Sequence, residues 1–184
     1  DGPHRDATRA GQALINRAWV RWSEGALDAA AGDARHAVAL LRETPGVGEL
    51  TAVGGLAILS RVLHDRGDAT LARTTVDEAL AILEAIPGPH HPLLCGTLLQ
   101  VSQVLTFQNR IGAALPLALQ GAQAGERAYG RHHPLVTGLY SVLGQIHDLR
   151  CDDESAAEHF ARALEGAESA TGYVDPQVAA VACL

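Results

Sequence analysis

The chain repeats itself every 42 residues, and this period restricts its fold more than any other feature of the sequence. The His-His-Pro of residues 90–92 recurs at residues 132–134, and the same step leads on to Asp175-Pro176. Small residues fill four columns at this spacing: Gly46/Gly88/Gly130/Gly172, Ala30/Ala72/Ala114/Ala156, Ala18/Ser60/Ser102/Gly144 and Ala37/Ala79/Gly121/Ala163. Such a period is typical of stacked supersecondary elements, each of which needs its neighbours to bury its apolar face.

Each repeat contains two apolar stripes with helical spacing. In the second repeat, Leu56, Leu59 and Leu63 lie on one helical face, and a break at residues 65–67 follows them. A second stripe then consists of Leu71, Ala72, Val76, Ala79, Leu80 and Leu83. The repeat is therefore expected to be a pair of helices, with small residues where the two helices touch.

The segments between repeats have the composition of helix ends. Gly88 stands where a helix ends, because a positive φ costs glycine little. Pro92 suits the first turn of the next helix, where its missing N–H is not needed. His91, His133 and Asp175 stand at or near the N-caps. We predict an all-α fold, a right-handed α-solenoid of antiparallel helix pairs. A single domain, residues 1–184, would hold repeats 8–49, 50–91, 92–133 and 134–175 and a partial helix 176–184.

The composition excludes several classes of function. Only 4% of the residues are aromatic, so Ala, Leu and Val must build the core, which favours closely packed helices. The net charge is −7, which argues against nucleic-acid binding. All 14 basic residues are Arg, so phosphate loops and Schiff bases that need Lys are excluded. This composition suggests a bacterial source.

The cysteines predict a reducing compartment. Cys95, Cys151 and Cys183 are widely spaced, form no CxxC motif and are odd in number, so a disulfide framework is not expected. We expect reduced, buried thiols in a cytoplasmic protein. No apolar run reaches the roughly 18 residues that span a bilayer, so no membrane association is predicted.

Two groups of residues could suggest a metal site. The histidine pairs at 90–91 and 132–133 are neighbours that point in different directions, and turn formation explains them. His147 and Cys151 are spaced i, i+4, but they fall in the core column of Leu63 and the turn column of Gly67. HExxH and GxSxG motifs are missing from the sequence. We therefore predict no metal, no cofactor and no catalytic activity.

The repeat resembles the tetratricopeptide family, in its 42-residue kinesin-light-chain type. The residues that carry this resemblance in the second and fourth repeats are Leu56, Leu59, Ser60, Leu63, Gly67, Ala72, Val76, Ala79, Tyr140, Leu143, Gly144, Ala156, Phe160 and Ala163, together with Gly-x-His-His-Pro at 88–92 and 130–134. The resemblance covers residues 8 to 184. It implies a helical-repeat fold and a general role in binding.

The resemblance also implies a binding surface on the concave face, which the first helices line. The groove positions of the family correspond to Trp19, Trp22, Arg61, His64, Asp65, Gln103, Thr106, Phe107, Gln145 and Asp148 in this sequence. Trp and Arg are enriched where interfaces concentrate their binding energy. A peptide could place a carboxylate on Arg61 and its backbone on Gln103 or Gln145. The alternative for Trp19 and Trp22 is packing into the adjoining helix.

Three features depart from a uniform repeat. Arg17 and Arg21 occupy columns that are apolar in other repeats, so the first helix is rotated, shifted by one residue, or a cap. Glycine recurs at residues 54, 96 and 138, either for close helix approach or to open the groove floor. The last segment, residues 176–184, would expose apolar side chains, so the chain continues or this end pairs with another copy.

These observations favour a non-catalytic module that binds a protein or peptide, within a larger bacterial regulatory or signalling protein. Two alternatives stay open. One is a sensor that holds a small molecule in the groove, which needs a closed pocket of roughly 300 Å³ or more. The other is a scaffold that self-associates through its C-terminal end.

Overall fold

The chain folds into helices that pack in pairs. The computed structural model describes residues 3–44, 46–85 and 92–171. Over these ranges there are eight α-helices and no strand, which confirms the predicted all-α, helix-pair fold. Adjacent helices pack as α1 with α2, α3 with α4, α5 with α6, and α7 with α8. Their bounds are α1 Pro3–Ser23, α2 Leu27–Arg42, α3 Val47–Asp65, α4 Ala69–Ala85, α5 Pro92–Phe107, α6 Ile111–Tyr129, α7 Pro134–Asp148 and α8 Asp153–Thr171.

The helices form two compact units. The first unit, Asp1–Gly88, contains α1 to α4, and the second, Pro89–Leu184, contains α5 to α8. Each helix pair therefore lies within one unit. In the first unit α3 packs against both α1 and α2, and in the second unit α7 packs against both α5 and α6.

The turn inside every helix pair has the same backbone conformation. Gly25, Gly67, Asn109 and Cys151 are spaced by 42 residues, and all have a positive φ, between 56° and 84°. The next amide N–H bonds back to the carbonyl oxygen five residues earlier, as in Ala26 to Arg21, Asp68 to Leu63, Arg110 to Leu105 and Asp152 to His147. This is the Schellman arrangement, which satisfies the last carbonyl groups of the first helix. The first helices of all four pairs therefore end with the same backbone conformation and the same hydrogen bond.

The turn between the third and fourth repeats follows the sequence prediction. Helix α7 begins at Pro134, and His133 is its N-cap residue, whose Nδ1 accepts a bond from the Leu135 N–H at 3.2 Å. Gly130 ends α6 with a φ of 86°. Helix α3 instead begins at Val47, before the predicted boundary at residue 50. The equivalents His90, His91 and Asp175, and the predicted partial helix 176–184, lie outside the described residues.

The small columns lie where the two helices of a pair touch. In the first unit, Ala18 and Ala30 are fully buried, and the Ser60 hydroxyl donates to the Ala72 carbonyl oxygen at 2.6 Å. A larger side chain at residue 60 would force α3 away from α4. The hydroxyl has a partner, so its burial leaves no unsatisfied donor.

Helix α1 keeps the register of the repeat despite its two arginines. Ala18 is as buried as Ser60, so the helix is neither shifted nor rotated out of register. Arg17 donates from Nε and Nη2 to the two carboxylate oxygens of Asp33, at 2.7 and 2.8 Å. Arg21 lies 2.8 Å from the same carboxylate. The hydrogen bond from Arg17 keeps the pKa of Asp33 below its ordinary value. An ion cluster therefore replaces apolar contacts in the first helix pair.

The recurring glycines bring the first helices of the second unit close together. A Cβ on Gly138 would lie 3.0 Å from Cδ2 of Leu99, and one on Gly96 would lie 3.8 Å from Cδ1 of Leu135. Each glycine thus faces a leucine on the other first helix, but only the contact at Gly138 is tight. At Gly138 this geometry favours close helix approach as the reason for glycine, whereas a Cβ at Gly96 would make an ordinary contact.

Helix α3 combines length with an apolar composition. Among the described residues it is the one helix that is long and apolar enough to cross a membrane. Most of it, 72% of the apolar window, is buried against the other helices of the first unit. A central core helix passes the same test of length and apolarity, because it too must be apolar on nearly every side.

Candidate functional site

Three of the predicted binding residues meet on the first helices of the first unit. The Trp22 indole N–H on α1 donates to Oδ2 of Asp65 on α3, at 2.6 Å. Arg61 lies one helical turn before Asp65, and its Nε donates to the same oxygen at 3.5 Å. The guanidinium carbon of Arg61 lies 4.6 Å from the centre of the Trp22 ring. We call this group the Trp22 cluster.

Trp19 and the core of the first unit support the Trp22 cluster. Trp19 meets Trp22 edge-to-face, with ring centroids 5.5 Å apart and an interplanar angle of 89°. Both tryptophans pack against the core of the first unit. Trp19 Nε1 is buried without a hydrogen-bond partner among the described residues. Both rings therefore contact the core, and Trp22 also presents its polar edge to Asp65.

The charges of the Trp22 cluster are only partly shielded from solvent. The side chains of Arg61 and Asp65 are 22% and 26% exposed. A cation over an indole ring contributes about 0.5–1 kcal/mol when exposed and about 2 kcal/mol when desolvated. Arg61 is thus oriented by contacts with both Trp22 and Asp65. His64 is half-buried beside the cluster.

The predicted residues of the second unit differ in their accessibility. Gln103, Gln145 and Asp148 are exposed, and Phe107 is 44% exposed. Thr106 is buried, and its hydroxyl donates to the Ser102 carbonyl oxygen at 2.7 Å. It therefore lies below the surface that the other four could offer to a partner.

One exposed residue was not anticipated from the sequence. Leu149 follows α7 directly and is 54% exposed. It stands 42 residues after Phe107, which itself stands 42 residues after Asp65. This column could have been found from the period alone. It places a large apolar side chain at the end of both first helices of the second unit.

The His147 pair takes a different form from the metal site considered above. His147 Nδ1 lies 2.9 Å from Oδ2 of Asp152, and its ring lies 5.2 Å from that of His159. Cys151 is exposed in the turn, so the expectation of a buried thiol is wrong at this position. Burial lowers the pKa of His159, and the charge on His147 lowers it further. Within the described ranges no group of three or more His, Cys, Asp or Glu side chains could hold a metal ion.

Comparisons with known proteins agree with this architecture. Residues 94–135, which cover most of α5, all of α6 and the start of α7, match the family profile of the tetratricopeptide repeat. The chain is similar to the crystal structure of BtubC (BKLC) from P. vanneervenii, with a TM-score of 0.63 and 15% identity, over 92% of this chain and 75% of that one. No curated protein sequence matches the chain. The predicted resemblance is confirmed, and the likeness to BtubC shows the fold alone.

Proposed function

We propose that this chain is a non-catalytic module that binds a protein or peptide on the exposed face of its first helices. Tetratricopeptide repeats generally mediate interactions between proteins, and residues 94–135 match this repeat. The observation that carries the proposal is the Trp22 cluster, which Trp22, Arg61 and Asp65 form on two neighbouring first helices. Aromatic and arginine side chains in such positions are the ones that concentrate binding energy.

The chemistry of the two units suggests what the partner offers. In the first unit, Arg61 presents N–H donors beside an indole ring, which suits a carboxylate next to an apolar group. In the second unit, Gln103 and Gln145 present amides that suit a peptide backbone, and Phe107 offers an apolar contact. The binding set is proposed as Trp19, Trp22, Arg61, His64, Asp65, Gln103, Phe107, Gln145 and Asp148, without Thr106.

The biological setting that we propose follows from the same resemblance. The module would work in the cytoplasm, as part of a larger bacterial regulatory or signalling protein, without contact to nucleic acid or membrane. Two alternatives for the role of the chain stay open: a sensor that holds a small molecule, and a scaffold that self-associates through its C-terminal end, residues 176–184.

Affinity capture from lysate of the source organism tests the proposal. The bait is the natural full-length protein, and the variant is Arg61→Ala with Phe107→Ala. The matched control is Arg73→Ala with Leu119→Ala, which removes similar side chains from the exposed surfaces of the second helices α4 and α6. We expect a partner that the wild type and the control retain and the variant loses, while all three proteins are folded by circular dichroism.

Two results would overturn the assignment. If the variant retains every partner of the wild type, the first-helix surface is not the binding face. If none of the three proteins captures a partner and the mass in solution rises with concentration, self-association is the better account.

A further inference from the structure

A polar cavity lies in the second unit among residues that the proposed peptide surface does not use. Its volume is about 300 Å³. Among the described residues, four side chains line it: Glu126 near the end of α6, Arg131 in the following turn, Tyr140 in α7 and Arg162 in α8. This size falls at the lower end of small-molecule sites, which span roughly 300–1,000 Å³.

Tyr140 is a residue that the repeat itself does not require. The equivalent positions in the other three repeats are Leu14, Leu56 and Leu98, so leucine satisfies the packing there. Tyr140 is 6% exposed, and its hydroxyl donates to Oε1 of Glu126 at 2.7 Å. The fourth helix pair therefore places a phenol, already linked to a carboxylate, where the repeat normally has an aliphatic side chain.

Two arginines bring hydrogen-bond donors to the cavity. The Arg162 guanidinium lies 5.4 Å from the centre of the Tyr140 ring and donates from Nη1 to its hydroxyl at 3.4 Å. Arg131 donates to Glu165 at 2.9 Å, and Arg162 also donates to Glu158 at 2.7 Å. A guanidinium has five N–H donors, and these bonds use one or two of them. Both guanidinium groups therefore keep further N–H donors for a ligand, which would share Arg131 with Glu165 and Arg162 with Glu158.

The balance of charge selects the class of ligand. Two guanidinium groups match the fork geometry of a carboxylate. Glu126 opposes a ligand with two negative charges, and its carboxylate favours a cationic donor. Burial raises the pKa of Tyr140, as does its bond to Glu126, so the phenol stays neutral and adds no negative charge. A ligand with one carboxylate and one ammonium group satisfies both sides.

We propose that this cavity binds a free α-amino acid, with its carboxylate against Arg131 and Arg162 and its ammonium group against Glu126. The side chain of the amino acid would extend toward the open side of the cavity, where both arginine side chains are about half exposed or more, at 61% and 47%. The site is distinct in its residues from the proposed peptide surface, so either can fail without the other.

Isothermal titration of the whole chain with each of the common α-amino acids tests this proposal. Propanoate and alaninamide serve as probes that each lack one of the two charges of alanine. We expect at least one amino acid to bind at millimolar concentration or below, and neither single-charge probe to match it. Inorganic phosphate is included as an anion of different geometry.

Three variants place the ligand in the cavity. Tyr140→Leu restores the leucine of the other repeats, so the fold is expected to persist. It should weaken binding by about tenfold, as should Arg162→Gln. Glu126→Gln should weaken binding of the amino acid but not that of propanoate, because the ammonium group loses its partner while the carboxylate loses only a repelling charge. The Arg61→Ala/Phe107→Ala variant should bind as the wild type does.

Several outcomes would overturn the proposal. It is wrong if no amino acid binds the wild type, or if propanoate or phosphate binds as tightly as the best amino acid. It is also wrong if Tyr140→Leu and Arg162→Gln, both folded by circular dichroism, bind the amino acid as the wild type does.

Discussion

Gly125 in α6 offers a quantitative test of how tightly the second unit is packed. A methyl group at this position would lie 2.6 Å from Sγ of Cys95 on α5 and 2.8 Å from Cγ2 of Val136 on α7. Cys95 and Val136 are both fully buried. The helix therefore touches two neighbours at one point where it has no side chain. Gly112, near the start of the same helix, would meet no atom within 4 Å.

The expected change in stability follows from two opposing effects. Replacing a helical glycine by alanine stabilises a helix by about 0.5–1 kcal/mol. Inserting a methyl group into a filled core costs about 1–3 kcal/mol. At Gly125 two buried neighbours must give way together, so the upper part of that range applies. We expect Gly125→Ala to destabilise the chain by about 1–2 kcal/mol, and Gly112→Ala to stabilise it by about 0.5–1 kcal/mol.

Urea unfolding followed by circular dichroism measures both changes on the same helix. The double variant Cys95→Ala/Gly125→Ala removes the sulfur atom that the new methyl group would meet. Its loss of stability should be smaller than the sum of the two single losses, because the residues are in contact. If Gly125→Ala is as stable as Gly112→Ala, or if the two losses simply add, the close contact inferred here is wrong.

In the first helix pair a glycine also faces a larger side chain, but there the glycine is on the first helix and the larger residue is on the second. Gly11 on α1 faces Leu41 on α2, and a Cβ on Gly11 would lie 2.5 Å from Cγ of Leu41. Gly11 and Cys95 share one column of the repeat, and Leu41 and Gly125 share another. The large residue is thus on the second helix in one pair and on the first helix in the other. Gly125 is small because its neighbours are large, not because the repeat demands glycine there.

Three further predictions concern single positions. Cys151→Gly should stabilise the chain by about 0.5–1 kcal/mol in urea unfolding, since a left-handed conformation costs a non-glycine residue about 1–2 kcal/mol and glycine returns part of this as entropy. His159 has a folded-state pKa below 6.5, mainly because it is buried, so the unfolded chain takes up the proton first. Stability should therefore fall as the pH drops from about 7 toward 5, and His159→Leu should reduce that slope; an unchanged slope would exclude His159 as its source. Trp22→Phe keeps an aromatic ring but loses the indole N–H that bonds to Asp65 and part of the packing, and should cost at least about 1 kcal/mol of stability; no loss would mean that this bond contributes nothing net.

The fold could be predicted because the repeat encodes it several times. The small columns at Ala18 and Ser60 mark the contact between paired helices, and the positive-φ column at Gly67 marks the turn between them. Each column marks a packing requirement that recurs in every repeat. A residue type that recurs four times at one spacing is not explained by chance. The same logic predicted His133 as an N-cap.

The 42-residue period could not predict which side chains on different helices contact each other. Asp33 contacts Arg17 and Arg21, and Tyr140 contacts Glu126, but these spacings are not multiples of 42. A single sequence gives the face of each helix only to within about one residue, because neighbouring residues point about 100° apart. For this reason the buried Thr106 and the exposed Phe107 both appeared in the predicted surface.

The variation between helix pairs explains how this chain could hold two separate sites. One column of the second helices reads Asp33, Thr75, Leu117 and His159, and each member is buried or half-buried. Asp33 contacts the arginines of α1, and His159 contacts a histidine of α7. A change of residue type in one helix pair is thus compensated by residues of the same pair. In such stacks, most of the stabilising contacts are made within a repeat or with its nearest neighbours. The Trp22 cluster lies on α1 and α3, and the polar cavity on α6, α7 and α8. Loss of either should therefore leave the other intact, and the two sets of variants measure this directly.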